Sequence, residues 1–146
     1  MRRRRQQRRD PLRARAAYAC EYCRVTEVLM GGHLTEDHII PTSKDGPDDI
    51  DNLCWCCWCC WWCNVYKGSQ STTRDPLTAR EVPLYHPRQG SWEKHFRWSR
   101  NGLRILGRTA TGRATVEALR INAPDRIETR RFWVTHQVHP RDMREP

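Results

Sequence analysis

Apolar side chains along this chain come in short bursts separated by long polar and charged stretches. Residues 1–10 carry no apolar side chain beyond Met1 and read as a disordered basic arm. From Pro11 to Tyr18, alanines among strong helix formers predict a short helix. His33 to Ile40 has strand character, with β-branched Ile39 and Ile40 and Pro41 as its stop. Ser43 to Asp48 is a turn-rich loop. Asn52 to about Cys57 is predicted to pair back as a second strand, and Cys60 to Lys67 to begin a helix. Ser69 to Thr73 is polar and linker-like.

Further along, Trp92–Ser99 and Arg113–Leu119 have helical patterns, the second preceded by Thr111-Gly112 as a plausible cap. Leu103–Leu106 follows the Asn101-Gly102 turn as a candidate strand, and Asp125–Val134 follows Pro124 as a last helix. The segments divide into an arm at 1–10, a compact unit at 11–70 and a basic extension at 71–146.

Composition adds a difficulty. Leu, Ile, Val and Phe make up about a sixth of the 146 residues, below the roughly 20% under which charged chains tend to stay unfolded. Seven Trp and eight Cys offset the shortage, so the fold needs a staple other than a large apolar core. No apolar run approaches a membrane span, and no apolar segment follows the N-terminal arginines as an export signal would require. The expected setting is cytoplasmic, without a membrane partner.

The net charge of +9 is unevenly spread. Eight arginines face only Asp10 in residues 1–15, and residues 71–146 are again basic. Between them, His33–Asn64 sets Lys44 alone against Glu36, Asp37, Asp45, Asp48, Asp49 and Asp51. An acidic centre between basic arms suits a protein that grips a polyanion and holds a cation. Arg2, Arg3, Arg4 and Arg5 are the candidate phosphate grip, with a solubilising tail as the equally weighted plain reading.

All eight cysteines fall between residues 20 and 63. Cys20-Glu-Tyr-Cys23 and Cys60-Trp-Trp-Cys63 are two C-x-x-C units, enough to close a four-thiolate shell around a structural Zn²⁺. Such a site contributes on the order of 10 kcal/mol to folding, which supplies the staple. The run from Cys54 to Cys63 contains a near-repeat, Trp-Cys-Cys twice, and so offers overlapping registers. The 60/63 register is preferred because Asn64 follows directly and Lys67-Gly68 closes the turn. Cys54, Cys56, Cys57 and Cys59 are then packing residues.

Asp37-His38-Ile-Ile-Pro41, Asp51-Asn52-Leu53 and Cys60-x-x-Cys63-Asn64-x-x-Lys67-Gly68 together resemble the HNH endonuclease family. The likeness covers roughly Cys20–Gly68. Residues 80–135, with Trp92-Glu-Lys-His-Phe-Arg-Trp98 and Thr111-Gly-Arg-Ala-Thr115, look like the tail of a bacterial, notably cyanobacterial, subgroup. The resemblance implies an α+β fold: a small ββα-metal core stapled by the four-cysteine zinc site, with a mixed helical and strand C-terminal extension.

It also implies a metal-dependent DNA endonuclease. His38 is the natural general base, since an imidazole titrates near neutrality. By resemblance, Asp37 and Asn64 hold a catalytic Mg²⁺ or Mn²⁺, and Asn52 matches the central Asn that braces the loop and positions the base. Lys67 is expected to neutralise a neighbouring phosphate. Family precedent suggests 5′-phosphate and 3′-hydroxyl products.

Two geometric questions follow. In a regular strand Asp37 and His38 point to opposite faces, so the strand must end or bulge there for both to serve one phosphate. Asn52 and Asn64 are 12 residues apart, where about nine is usual in the family. Three extra residues within a helix would turn Asn64 by about 300°, whereas in the strand-to-helix connection they would leave it in place. The competing readings are a non-catalytic zinc ribbon that binds nucleic acid and, less favoured, a protein–protein adaptor with a Trp-rich face.

Overall fold

The computed structural model describes residues 2–32, 34–57 and 63–140. The chain folds as α+β, with three two-stranded antiparallel sheets and five helices among those residues. No described helix is long and apolar enough to cross a membrane.

The first helix, α1 (Arg2–Arg15), overturns the expectation of a disordered arm. Arginine and glutamine are good helix formers, but a run of like charges needs compensation to stay folded. That compensation comes from the acidic centre. Arg5 Nε donates to Glu36 Oε1 at 2.8 Å, and Arg8 donates to both Glu36 oxygens and, at 3.0 Å, to Asp48 Oδ1. Arg13 closes a two-pronged pair on Glu27 at 2.9 and 2.8 Å. Leu12, fully buried, anchors the helix by its apolar side. Burial works against the charge of Glu36, yet the hydrogen bonds from Arg8 and Arg5 outweigh it and hold that carboxyl below its ordinary value.

A knuckle follows. Cys20 N donates to Val25 O and Arg24 N to Cys20 O, folding the first C-x-x-C unit into a tight turn. β1 (Leu34–His38) then pairs antiparallel with β2 (Leu53–Cys57), in the register Leu34↔Cys57 through Asp37↔Cys54 to His38↔Leu53. The loop between them turns through two 3-10 segments, Thr42–Lys44 and Ile50–Asn52. Gly46 is required there, because a Cβ at this position would collide with the carbonyl of Ile40. β2 is buried throughout, and α2 (Cys63–Lys67) packs against it.

The extension is built on the same core. β3 (Thr72–Arg74) pairs with β4 (Glu81–Pro83). A single helical turn, α3 (Trp92–His95), leads straight into β5 (Phe96–Trp98), which pairs with β6 (Ile105–Gly107). The expected helix over Trp92–Ser99 is therefore half strand. Phe96 is buried, Arg97 exposed and Trp98 half-buried, an alternation that suits a strand once β6 is beside it. α4 (Ala110–Ala118) is capped by Thr109, whose hydroxyl accepts from Gly112 N, two residues before the expected cap. α5 (Pro124–Thr135) starts on proline at its first turn.

One hydrophobic cluster runs from Leu12, Tyr22 and Trp55 through Tyr85, Trp92 and Phe96 to Leu119 and Trp133. It crosses the expected boundary at residue 70 without a break. Trp92 Nε1 donates to Tyr22 O at 2.8 Å, and Arg88 pairs with Glu21 in the first knuckle. Glu21 also accepts from Trp55 N at 2.8 Å, so one carboxylate joins knuckle, strand and extension.

Candidate metal and catalytic centre

Four sulfurs converge from three elements. Cys20 and Cys23 come from the knuckle, Cys57 from the end of β2 and Cys63 from the start of α2; their Sγ atoms all lie within 4.8 Å of one another and are buried. Burial pushes the Cys20 thiol up. The same burial acts on Cys23, but hydrogen bonds from Cys20, Cys57 and Cys63, with the field of Arg126, hold it well below the ordinary thiol range. Four sulfur donors at this spacing can hold a metal such as zinc.

The expected register differs by one member. Cys57, read from sequence as a packing residue, supplies the fourth sulfur among the described residues, and Cys60 lies outside them. The reason is the strand pairing: β2 runs in register to Cys57, which delivers that side chain beside Cys20 and Cys23 at 3.8 Å each. From α5, Arg126 reaches in and donates to Cys63 Sγ at 3.4 Å. Burial opposes its charge, yet the negative sulfurs of Cys63, Cys23 and Cys57 keep it protonated.

Next to this shell stands the oxygen and nitrogen centre. β1 ends at His38, and its register contains no inserted residue, so the strand stops and does not bulge. Asp37 and His38 accordingly aim at different partners. Asp37 Oδ2 accepts from Lys67 Nζ at 2.9 Å, and the same ammonium donates to the His38 carbonyl at 2.7 Å. Lys67 is only 2% exposed. Its charge is spent on the end of β1, which corrects its expected role as a surface contact for phosphate.

His38 Nε2 lies 3.0 Å from Asp48 Oδ1, and Asp48 also accepts from Arg8. The hydrogen bonds from Arg8 and His38 hold the Asp48 carboxyl below its ordinary value. An ionised carboxylate only accepts, so His38 Nε2 is the donor of this pair and Nδ1 is the nitrogen turned away from Asp48. Asp48 and Arg8 were not among the residues singled out from sequence. The one available signal was the acidic loop itself, ten residues past His38.

Asn52 is 4% exposed and fully engaged. Its Oδ1 accepts from Ile40 N at 2.9 Å, while Nδ2 donates to Ile40 O at 3.0 Å and Pro47 O at 2.9 Å. These bonds clamp both ends of the loop that carries Asp48. Asn64 sits in α2, half-buried, three residues before Lys67 and so on the same side of the helix. The second Trp-Cys-Cys unit of the near-repeat lies outside the described residues, between β2 and α2.

Residues 20–70 match the family model of the HNH endonucleases. No curated protein and no solved structure matches the chain. The HNH match runs from the first cysteine of the knuckle to just beyond α2, so it takes in the sulfur shell, both strands and the helix. The extension lies outside it, yet walls the HNH segment: a cleft of about 360 Å³ beside the end of β1 is lined by Ile39, Ile40 and Lys67 on one side and Thr72, Leu84 and His86 on the other. Arg3 and Arg4 lie exposed on α1; Arg5 is committed to Glu36, and Arg2 is placed in the same helix.

Proposed function

We propose that this protein is a metal-dependent endonuclease that hydrolyses DNA phosphodiester bonds. The observation that carries the reading is the buried Lys67, which ties the Asp37 carboxylate and the His38 carbonyl to the helix bearing Asn64. That ammonium ties the end of β1 to α2, and together with the match of residues 20–70 to HNH endonucleases it supports reading Asp37, His38 and Asn64 as one site.

Asp37 and Asn64 offer oxygen donors of the kind a hard cation takes; they would hold Mg²⁺ or Mn²⁺, which would supply charge relief at the scissile phosphate. His38 Nδ1 takes a proton from the attacking water, the new P–O bond forms, the P–O3′ bond breaks and a solvent water gives a proton to the leaving O3′, leaving a 5′-phosphate and a 3′-hydroxyl. Asp48 orients the ring and Asn52 holds the loop that carries Asp48. Arg3 and Arg4, exposed on α1, grip the backbone without reading sequence. Zn²⁺ in the Cys20, Cys23, Cys57 and Cys63 shell has a structural role, and a reducing cytoplasmic compartment keeps those thiols available.

One observation favours the second reading, a non-catalytic zinc ribbon that coats nucleic acid: Asp37 already has a buried ammonium as its partner. Supercoiled-plasmid nicking with Mg²⁺ or Mn²⁺ decides between them. The endonuclease reading expects nicking by the zinc-loaded protein and a loss of at least about 100-fold in His38→Ala, with salt-sensitive DNA binding kept. Protein that holds zinc and binds DNA without ever nicking belongs to the second reading.

A further inference from the structure

Cys54 and Cys56 are two residues apart on β2 and therefore face the same way, opposite to Cys57 in the sulfur shell. Asp37 stands across from Cys54 in the β1–β2 register. One carboxylate oxygen of Asp37 and the sulfurs of Cys54 and Cys56 lie within 4.8 Å of one another, a second donor cluster separate from the first. Both sulfurs are fully buried, while the Asp37 side chain is 22% exposed and opens the cluster to solvent.

We infer that Asp37, Cys54 and Cys56 form a second metal site, selective for a thiophilic divalent cation such as Zn²⁺, Cd²⁺ or Co²⁺. Two thiolates and a carboxylate are a donor set that borderline and soft cations accept, whereas Mg²⁺ requires an oxygen shell. The surroundings complete the charge balance. Three negative ligands around a divalent cation leave one excess negative charge, and Lys67, 2.9 Å from Asp37 Oδ2, neutralises it. Lys67 thus supports a ligating carboxylate, which has a second oxygen to accept with. The Tyr22 hydroxyl, 3.7 Å from Cys54 Sγ, is placed to donate to that sulfur once it loses its proton.

The consequence rests on the endonuclease reading. Asp37 belongs to both constellations, so a thiophilic cation on Cys54 and Cys56 withdraws the carboxylate from the hard cation. Zinc beyond the first equivalent then acts as an inhibitor, while the first equivalent serves the fold.

The experiment is a zinc titration of the whole protein, with retained metal counted by elemental analysis after desalting and Mg²⁺-supported nicking measured on the same samples. The expected result is two retained equivalents in the wild type and one in Cys54→Ser/Cys56→Ser. One equivalent in the wild type, or two in the double variant, overturns the site. Should the double variant fail to fold, Asp37→Asn replaces it, with the second equivalent bound at least about tenfold more weakly and the first unchanged; an unchanged second affinity overturns the site. In nicking, the second equivalent is expected to suppress wild-type activity about tenfold and to leave the double variant unaffected. Full activity with two equivalents bound overturns the inhibitory role. Two equivalents bound by a protein that never nicks supports the site and overturns the endonuclease reading instead.

Discussion

Asn52 shows how much a single side chain can hold. It is buried, it uses its carbonyl once and its amide twice, and all three bonds go to the main chain of the β1–β2 loop. Removing them leaves buried backbone groups unsatisfied, at a cost of about 1–3 kcal/mol each in the worst case and less where water enters. Asn52→Ala is expected to destabilise the protein by about 2–4 kcal/mol in urea unfolding, with the midpoint falling and the slope unchanged. The sequence marked Asn52 by its match to the family's central Asn, and the structure gives it three bonds to the loop main chain. Asp48 was invisible by the same method, because nothing local distinguishes it from Asp45, Asp49 or Asp51. Only its approach to His38 and Arg8 does so.

Between elements, α4 comes up tightly against the α3–β5 junction and β6. Gly112 stands at the contact: a Cβ there would collide with the His95 carbonyl and crowd the Gly107 Cα. Backbone on both sides leaves no flexible neighbour to move. Gly112→Ala is therefore expected to cost about 1–3 kcal/mol despite the better helix propensity of alanine, read as a lowered thermal midpoint. The hairpin β5–β6 also explains why the pattern over Trp92–Ser99 misled. Trp92 and Phe96 have helical spacing while Phe96 and Trp98 have strand spacing, and over so short a stretch only pairing to Ile105 and Gly107 decided between them. In α1 the decision was electrostatic: an arginine run that reads as a solvated tail became helix because Glu36, Asp48 and Glu27 are within reach.

Across the whole molecule, the Arg88–Glu21 pair and the reach of Arg126 to Cys63 join the halves, while a second charged pair ties the extension to itself. Asp75, fully buried at the end of β3, receives a two-pronged bond from Arg113 on α4 at 3.0 and 2.8 Å. Those bonds, helped by Thr78 and Leu77 N, hold its carboxyl well below the ordinary carboxylate range. A depressed carboxyl stabilises the fold above its unfolded value of about 4 and loses that contribution as pH falls. Asp75→Asn is thus expected to lower stability at pH 7, with wild type and variant converging in acid; denaturation curves at both pH values check this. The sulfur shell gives a sharper test. Cys57→Ser is expected to lose the structural zinc and most helical circular dichroism on mild chelation, whereas Cys60→Ser retains both. Retention by Cys57→Ser and loss by Cys60→Ser would restore the register read from sequence.

What the sequence determined by itself is everything that depends on near neighbours and residue type. The two strands with the turn between them, the helix after the cysteines and the closing helices all follow from patterns within a few residues. Tertiary structure decided which donors share a site. Lys67 and Asp37 are thirty positions apart, Cys57 and Cys20 thirty-seven, Arg126 and Cys63 sixty-three. Near-repeated cysteines and abundant arginines are alike to any local reading, since each has the same chemistry and similar flanks. Strand register and helix packing break that equivalence, because only one of several identical side chains can stand where the others converge.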